Sequence, residues 1–228
     1  MVRLLVWACF MLVSAVAAAQ SQPAFPHTLY LIRHGAYVAD RNADPQLGPG
    51  LTPLGVAQAR LIAARLSGAG VSFDSMTSST LQRAKDTAAV MHETLANVPT
   101  SQSPLLSECT PPRRDAPENA DADKQAACAK QLDQAFEEFF RPARGARRHD
   151  ILVAHGNVIR YLVTKALKVE PRAWVGMSVP HASLTVIQVQ PDGSTQVLAV
   201  GDSGHIPSPL LSWGDASDRQ LVVPAAAR

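Results

Sequence analysis

The chain has 228 residues, 46% of them hydrophobic, with 21 Lys and Arg against 19 Asp and Glu and a formal net charge of +2. A balance so near neutral gives no footing for a nucleic-acid binder or a protein that coats polyanions. The length suits one domain with a sizeable core.

Residues 1–19 place Arg3 ahead of an apolar run from Leu4 to about Val16, followed by the small residues Ala17-Ala18-Ala19. That is the anatomy of a secretory signal peptide with an A-x-A cleavage site. The run falls short of the roughly 20 residues that span a bilayer, so an uncleaved anchor is the alternative and no stable membrane span is expected after cleavage. The expected location is therefore periplasmic or secreted. Removing 19 of the 228 residues leaves 209, with two of the three cysteines, Cys109 and Cys128. An exported compartment permits these two to pair, closing the stretch between them at a gain of about 3 kcal/mol in the loop-entropy view.

Residues 28–33 read as a buried strand, Leu29-Tyr30-Leu31-Ile32 leading into Arg33-His34-Gly35. Thr52-Pro53 then offers an N-cap with proline at the first helical position, and the apolar positions Val56, Leu61, Ile62 and Leu66 run to Gly68-Ala-Gly70. Residues 71–77 are a second strand candidate. Ser79-Thr-Leu-Gln82 resembles a capping box opening a helix to about Leu95, with Arg83 in its first turn. Prolines at 99, 104, 111, 112 and 117 make residues 97–122 an ordered loop. Residues 123–140 read as a helix with the stripe Cys128, Leu132, Phe136 and Phe139. A strand over 150–154 ends in a second His-Gly, His155-Gly156, and a helix over 157–167 follows. Strands over 183–190 and 195–201 flank the turn signal Pro191-Asp-Gly193.

This alternation argues a three-layer α/β/α sandwich whose sheet is largely parallel, with a C-terminal hairpin added antiparallel. Ligand sites in such sheets lie beyond the carboxyl ends of strands, where both His-Gly steps fall. Two imidazoles delivered from two strand ends, with arginines nearby, make a phosphate-handling site in which one histidine can be the nucleophile.

The ordered set Leu-Ile-Arg33-His34-Gly35, Leu-Thr52-Pro-Leu-Gly55-x-x-Gln58, Ser79-x-Leu81-x-Arg83-Ala-x-Asp86-Thr87, Glu108 and Ala-His155-Gly156-Asn157-x-x-Arg160 resembles the histidine phosphatase superfamily in its phosphoglycerate-mutase-like branch. Further agreement at Glu170-Pro-Arg-Ala-Trp174 and Gly201-Asp-Ser-Gly204-His-Ile-Pro207 is similar to the mitochondrial serine/threonine protein phosphatase group of that branch. The resemblance covers residues 28–210 and leaves 211–228 as a C-terminal tail. It implies that His34 is the nucleophile forming a phosphohistidine and that Arg33 and Arg83 grip the phosphoryl oxygens, while His155 donates to an equatorial oxygen. Arginines beside His34 would keep it neutral.

Glu108 matches the glutamate that members use as general acid and then base, with Asp115 and Glu118 nearby as other carboxylates. His-Gly rather than His-Asp at position 155 argues against the phytase and acid-phosphatase branch. Tyr37 and Asp40 agree with the mitochondrial group, and a carboxylate at Asp40 disfavours a glycerate-like substrate. No cofactor is implied, and no Cys or His cluster has the spacing of metal ligands; arginines stand in for a cation. His27, His92, His149 and His205 read as surface or satisfied residues, with His181 the one that also reads as a pocket candidate. Arg141, Arg144, Arg147 and Arg148 read as helix-terminal and solvated.

The expected function is an exported, metal-independent phosphomonoesterase acting on phosphoserine and phosphothreonine proteins. Alternatives are a phosphatase for small envelope or nutrient phosphoesters, and a catalytically weak phosphate-binding module.

Overall fold

The computed structural model describes residues 23–214. The segment 1–19 read as a signal peptide and residues 215–228 of the tail lie outside them. In chain order the main elements are β1 (Ala24–Phe25), β2 (His27–Arg33), α1 (Pro53–Ser67), β3 (Ser75–Ser78), α2 (Gln82–Thr94), β4 (Thr100–Gln102), α3 (Ala122–Phe139), β5 (Ala143–Arg144), β6 (Arg148–Ala154), α4 (Gly156–Leu167), β7 (Leu184–Val189) and β8 (Thr195–Asp202).

Six strands form one sheet in the order β4-β3-β6-β2-β7-β8. The pairs from β4 to β2 are parallel, and β7 and β8 join antiparallel. Strand alternation sends Leu29 and Leu31 of β2, with Leu152 and Ala154 of β6, into the layer formed by α3 and α4. The opposite face, with Ile32, Ile151 and Val153, packs on α1 and α2. Because β2 and β6 are covered on both faces, they read in sequence as continuous apolar runs. At the N-terminal edge of the sheet, Asp150 accepts from Ser75 Oγ at 2.8 Å, from Arg148 Nε at 2.6 Å and from His27 Nε2 at 2.9 Å. This ties β2, β3 and β6 together at the edge away from the two His-Gly steps.

Helix α1 starts as its sequence implies: Thr52 Oγ1 accepts from Gly55 N at 3.2 Å, with Pro53 at the first helical position. The capping box expected at Ser79 is not formed. Helix α2 begins at Gln82 with Leu81 as its uncapped N-cap residue, and the Ser79 hydroxyl is used elsewhere, as described below. Only Ser75–Ser78 of residues 71–77 and their neighbour pairs as a strand. The proline-rich loop contains β4 and a 3₁₀ turn at Pro104–Leu106. Strand β4 is exposed at all three residues and holds its place through backbone pairing with β3, so it leaves no apolar pattern. The two-residue pair β1–β5 was likewise unexpected. Among the described residues no helix is long and apolar enough to cross a membrane.

Candidate active site

Strand β2 ends at Arg33, and the next backbone N–H, that of His34, donates to Ala154 O on β6 at 2.9 Å. The two His-Gly steps are thereby locked side by side, and the rings of His34 and His155 lie 5.0 Å apart. His34 is 2% exposed and His155 fully buried. The Nδ1–H of His34 donates to Gly35 O at 2.8 Å, which places the lone pair on Nε2. Arg83 Nε–H, from the first turn of α2, donates to that lone pair at 3.1 Å.

The motif between these groups holds the loop in shape. A Cβ at Gly55 would stand 2.1 Å from Ala36 O, and one at Gly35 would stand 2.5 Å from Gly55 O, so the loop after β2 and the start of α1 meet backbone to backbone. Gln58 Oε1 accepts from Ala36 N at 2.8 Å, and Thr87 Oγ1 accepts from Gly35 N at 3.0 Å while donating to Arg83 O at 2.7 Å. Asp86 accepts from Leu51 N at 3.1 Å. Thr52, Gly55, Gln58, Asp86 and Thr87 thus set the position of His34 and Arg83 through contacts to the backbone.

Burial is the main force on the charges here. It drives the pKa of His34 well below the ordinary histidine value, and His155, Arg33, His181 and Arg83 add to it by like-charge repulsion. His155 is lowered in the same way by burial, then by Arg83 and Arg33. Arg33 falls to about 10, chiefly through burial, with the Glu108 charge opposing. Burial pushes the Glu108 carboxyl up to about 7, against the pull of Arg83, Arg33 and Arg160. Its Oε1 is buried with no hydrogen-bond partner. A carboxyl that is half protonated at neutral pH can give a proton and take one back.

All of Arg33, His34, Arg83 and His155 converge, and Glu108 joins them, lining with Arg33 and Gly156 a cavity of about 560 Å³. The other carboxylates do not. Asp115 is exposed and paired with Arg113 at 2.6 Å, and Glu118 is exposed. Asp40 is also exposed, accepting from Asn42 N within its own turn, and does not line that cavity. Tyr37 does flank the site: its ring lies 5.4 Å from that of His34, with the Arg83 guanidinium 5.0 Å over it. Cys109 and Cys128 form a disulfide that ties the residue after Glu108 to α3.

Two contributors had no role in the site assigned from the sequence: Ser79, and His181, which read only as a pocket candidate. Ser79 Oγ lies 2.8 Å from His155 Nε2, leaving His155 Nδ1 buried without a partner. The fully buried His181 accepts from Arg33 Nη2 at 3.0 Å through Nε2, and its Nδ1 meets Ser212 Oγ at 2.9 Å. Its pKa falls to about 3, from burial and then Arg33 and Arg83, so it is a neutral acceptor that holds the guanidinium. Position 181 lies just ahead of the hairpin, which marked it as a pocket candidate, and the pairing of β7 with β2 is what brings it to Arg33.

A family model, the histidine phosphatase superfamily (branch 1), matches residues 29–202. The chain belongs to the histidine phosphatase superfamily. It is 34% identical over 193 residues to the mitochondrial serine/threonine-protein phosphatase Pgam5 of Caenorhabditis elegans, covering 81% of this chain and 66% of that protein. With the mitochondrial PGAM5 of Xenopus tropicalis the identity is 33% over 197 residues, covering 84% of this chain and 70% of the relative. The chain thus spans about two thirds of these relatives' length. Among solved structures, a phosphoglycerate mutase from Plasmodium falciparum superposes with a TM-score of 0.58 at 21% identity, covering 80% of this chain and 95% of that one. A mycobacterial glucosyl-3-phosphoglycerate phosphatase gives 0.59 at 22%, covering 78% and 100%. These two likenesses show the phosphoglycerate-mutase-like fold.

For this histidine phosphatase domain the relatives correct one expectation. The periplasmic or secreted location drawn from residues 1–19 is overturned, because the curated relatives are mitochondrial proteins. A short apolar run behind one basic residue reports hydropathy, and hydropathy does not name the compartment.

Proposed function

We propose that this protein is a phosphoric monoester hydrolase working through phospho-His34, with phosphoserine and phosphothreonine proteins as its substrates. The observation that carries the reading is the tautomer of His34: its Nδ1–H is held by Gly35 O, and Nε2 presents a lone pair among Arg33, Arg83 and His155. The incoming phosphoryl group takes over the Arg83 N–H that now rests on Nε2. In-line attack forms the N–P bond and breaks the bond to the leaving oxygen, which receives the Glu108 proton. Water then attacks phosphorus, Glu108 takes its proton, and the N–P bond breaks to restore neutral His34 and release phosphate.

In the tautomer that accepts from the Ser79 hydroxyl at Nε2, His155 has its Nδ1–H left for an equatorial oxygen as negative charge builds. The guanidiniums supply the positive charge, so the reaction asks for no metal. Relatives named serine/threonine-protein phosphatases support the substrate class.

The test compares wild type and His34→Ala, both in chelator, on a phosphothreonine peptide and on a sugar phosphate of equal charge. Turnover that His34→Ala reduces to the blank supports the phosphohistidine route; more than a few per cent retained overturns it. A peptide preference of about tenfold, or 1.4 kcal/mol of extra transition-state binding outside the phosphate, supports protein substrates. Parity assigns the enzyme to small phosphomonoesters instead.

A further inference from the structure

The cavity lined by Arg33 and Glu108 also holds a second, separately built cation. Arg160 of α4 lines it, together with Asn157, Met177 and Trp213. The guanidinium is held on every side that faces protein. Nε donates to Gly156 O at 3.1 Å, Nη1 to Met177 O at 3.4 Å and Nη2 to Asn157 Oδ1 at 2.6 Å, and the plane lies 4.6 Å over the Trp174 ring. Trp174 is itself 2% exposed and anchored by its indole N–H on Pro112 O at 2.9 Å. Of the five N–H groups of an arginine, these bonds use three, which leaves one on each terminal nitrogen.

No carboxylate is ion-paired with Arg160 or Arg33 among the described residues. The carboxylate that acts on both at longer range, Glu108, is the one that burial keeps partly protonated. Half-burying a cation without a compensating charge costs free energy, and holding it rigid costs more. A fixed fork with two free N–H groups on a cavity wall matches a carboxylate or a second phosphate. Trp213 is 47% exposed on the same wall, its indole N–H fixed on Ser178 Oγ at 3.1 Å, and it offers a flat surface for the chain that carries the anion.

The geometry points to a second anion subsite at Arg160, which selects phosphopeptides bearing an acidic or phosphorylated residue close to the scissile phosphoresidue. This rests on the phosphatase reading above and deepens it. His34 and its neighbours handle the reacting phosphate, while Arg160 would select what is attached to it.

The probes are two phosphothreonine peptides of one sequence, with aspartate or asparagine flanking the phosphothreonine on both sides, and para-nitrophenyl phosphate as a substrate with no flanks. The readout is the ratio of kcat/KM for the aspartate over the asparagine peptide, taken within each enzyme so that any general effect of a substitution on the chemistry cancels. Wild type is expected to show a ratio of about ten, falling as ionic strength rises. Arg160→Met is expected to bring the ratio to about one. Arg160→Lys, which keeps the charge and loses the fork, is expected to fall between them. A wild-type ratio near one, or one that Arg160→Met leaves intact, overturns the subsite while His34-dependent turnover of all three probes still supports the phosphatase. Absence of His34-dependent turnover of para-nitrophenyl phosphate takes down the parent reading and the subsite with it. If Arg160→Met does not fold, a wild-type ratio that does not change with salt overturns the proposal.

Discussion

Glu108→Gln separates what a buried carboxyl contributes to turnover from what it costs the fold. Burial raises its pKa from an ordinary 4.5 to about 7, while Arg83, Arg33, Arg160 and a backbone hydrogen bond from Cys109 pull the other way. The folded state therefore holds this proton more tightly than the unfolded chain does. Such a group carries no penalty well below pH 4.5, loses stability as pH rises through the interval, and carries its full penalty above about 7. At about 1.4 kcal/mol per pH unit the full penalty is on the order of 3 kcal/mol.

Glutamine keeps the shape with no charge to desolvate. The variant is expected to be more stable than the parent by about 1 kcal/mol at pH 5 and about 3 kcal/mol at pH 8. Urea unfolding at both pH values, with the disulfide intact, reads the difference. Activity moves the opposite way: kcat is expected to drop by about 10²- to 10⁴-fold, and the decline of kcat/KM above pH 7 in the parent should disappear. A Gln-minus-Glu stability difference that is equal at pH 5 and pH 8, or that favours Glu at pH 8, would refute the reasoning.

Gly55→Ala places a methyl group 2.1 Å from Ala36 O and 2.9 Å from Ala36 N, both backbone atoms, so the loop must yield. A loss of about 1–3 kcal/mol is expected in thermal melting, with kcat/KM down about 100-fold if His34 moves by an ångström; an unchanged melting temperature and rate would count against the backbone packing described. Replacing Cys109 and Cys128 together by serine opens a loop of sequence separation 19 and is expected to lower stability by about 3 kcal/mol, with the reduced parent matching the variant in denaturant midpoint. His181→Ala strands the Arg33 Nη2 donor and takes one of two partners from Ser212 Oγ, which keeps Gln58 Nε2; about 1–3 kcal/mol of stability is expected to go, and KM to rise, with the alkaline limb set by Glu108 left in place. A pH profile of kcat/KM for that variant checks the separation of the two roles.

Much of the fold was legible because burial on both sides writes itself into residue type. The strands at β2 and β6, the proline-started helix α1 and the hairpin of β7 and β8 all carry patterns that follow from which face meets the core. Where pairing is carried by backbone and a polar side-chain contact, as in β4 with its exposed Thr100, Ser101 and Gln102, there was no apolar pattern to read. Ser79 misled for a different reason. Its spacing to Gln82 suits a helix cap, yet its hydroxyl meets His155, 76 residues away in sequence.

By itself the sequence determined which residue types stand at the ends of the two central strands, and so that two histidines and an arginine would share one sheet edge. Only the tertiary structure decided which carboxyl joins them. Glu108, Asp115 and Glu118 are carboxyls within a short stretch, yet burial raises Glu108 to about 7 while the hydrogen bond to Arg113 lowers the exposed Asp115 to about 2. It decided also that His181 would brace Arg33 from 148 positions along the chain and that Arg83 would reach His34 from 49. Strand and helix patterns are local and repeat within a few residues. A pKa or a side-chain hydrogen bond depends on water excluded and on atoms a few ångströms away, and those neighbours exist only once the chain has closed on itself.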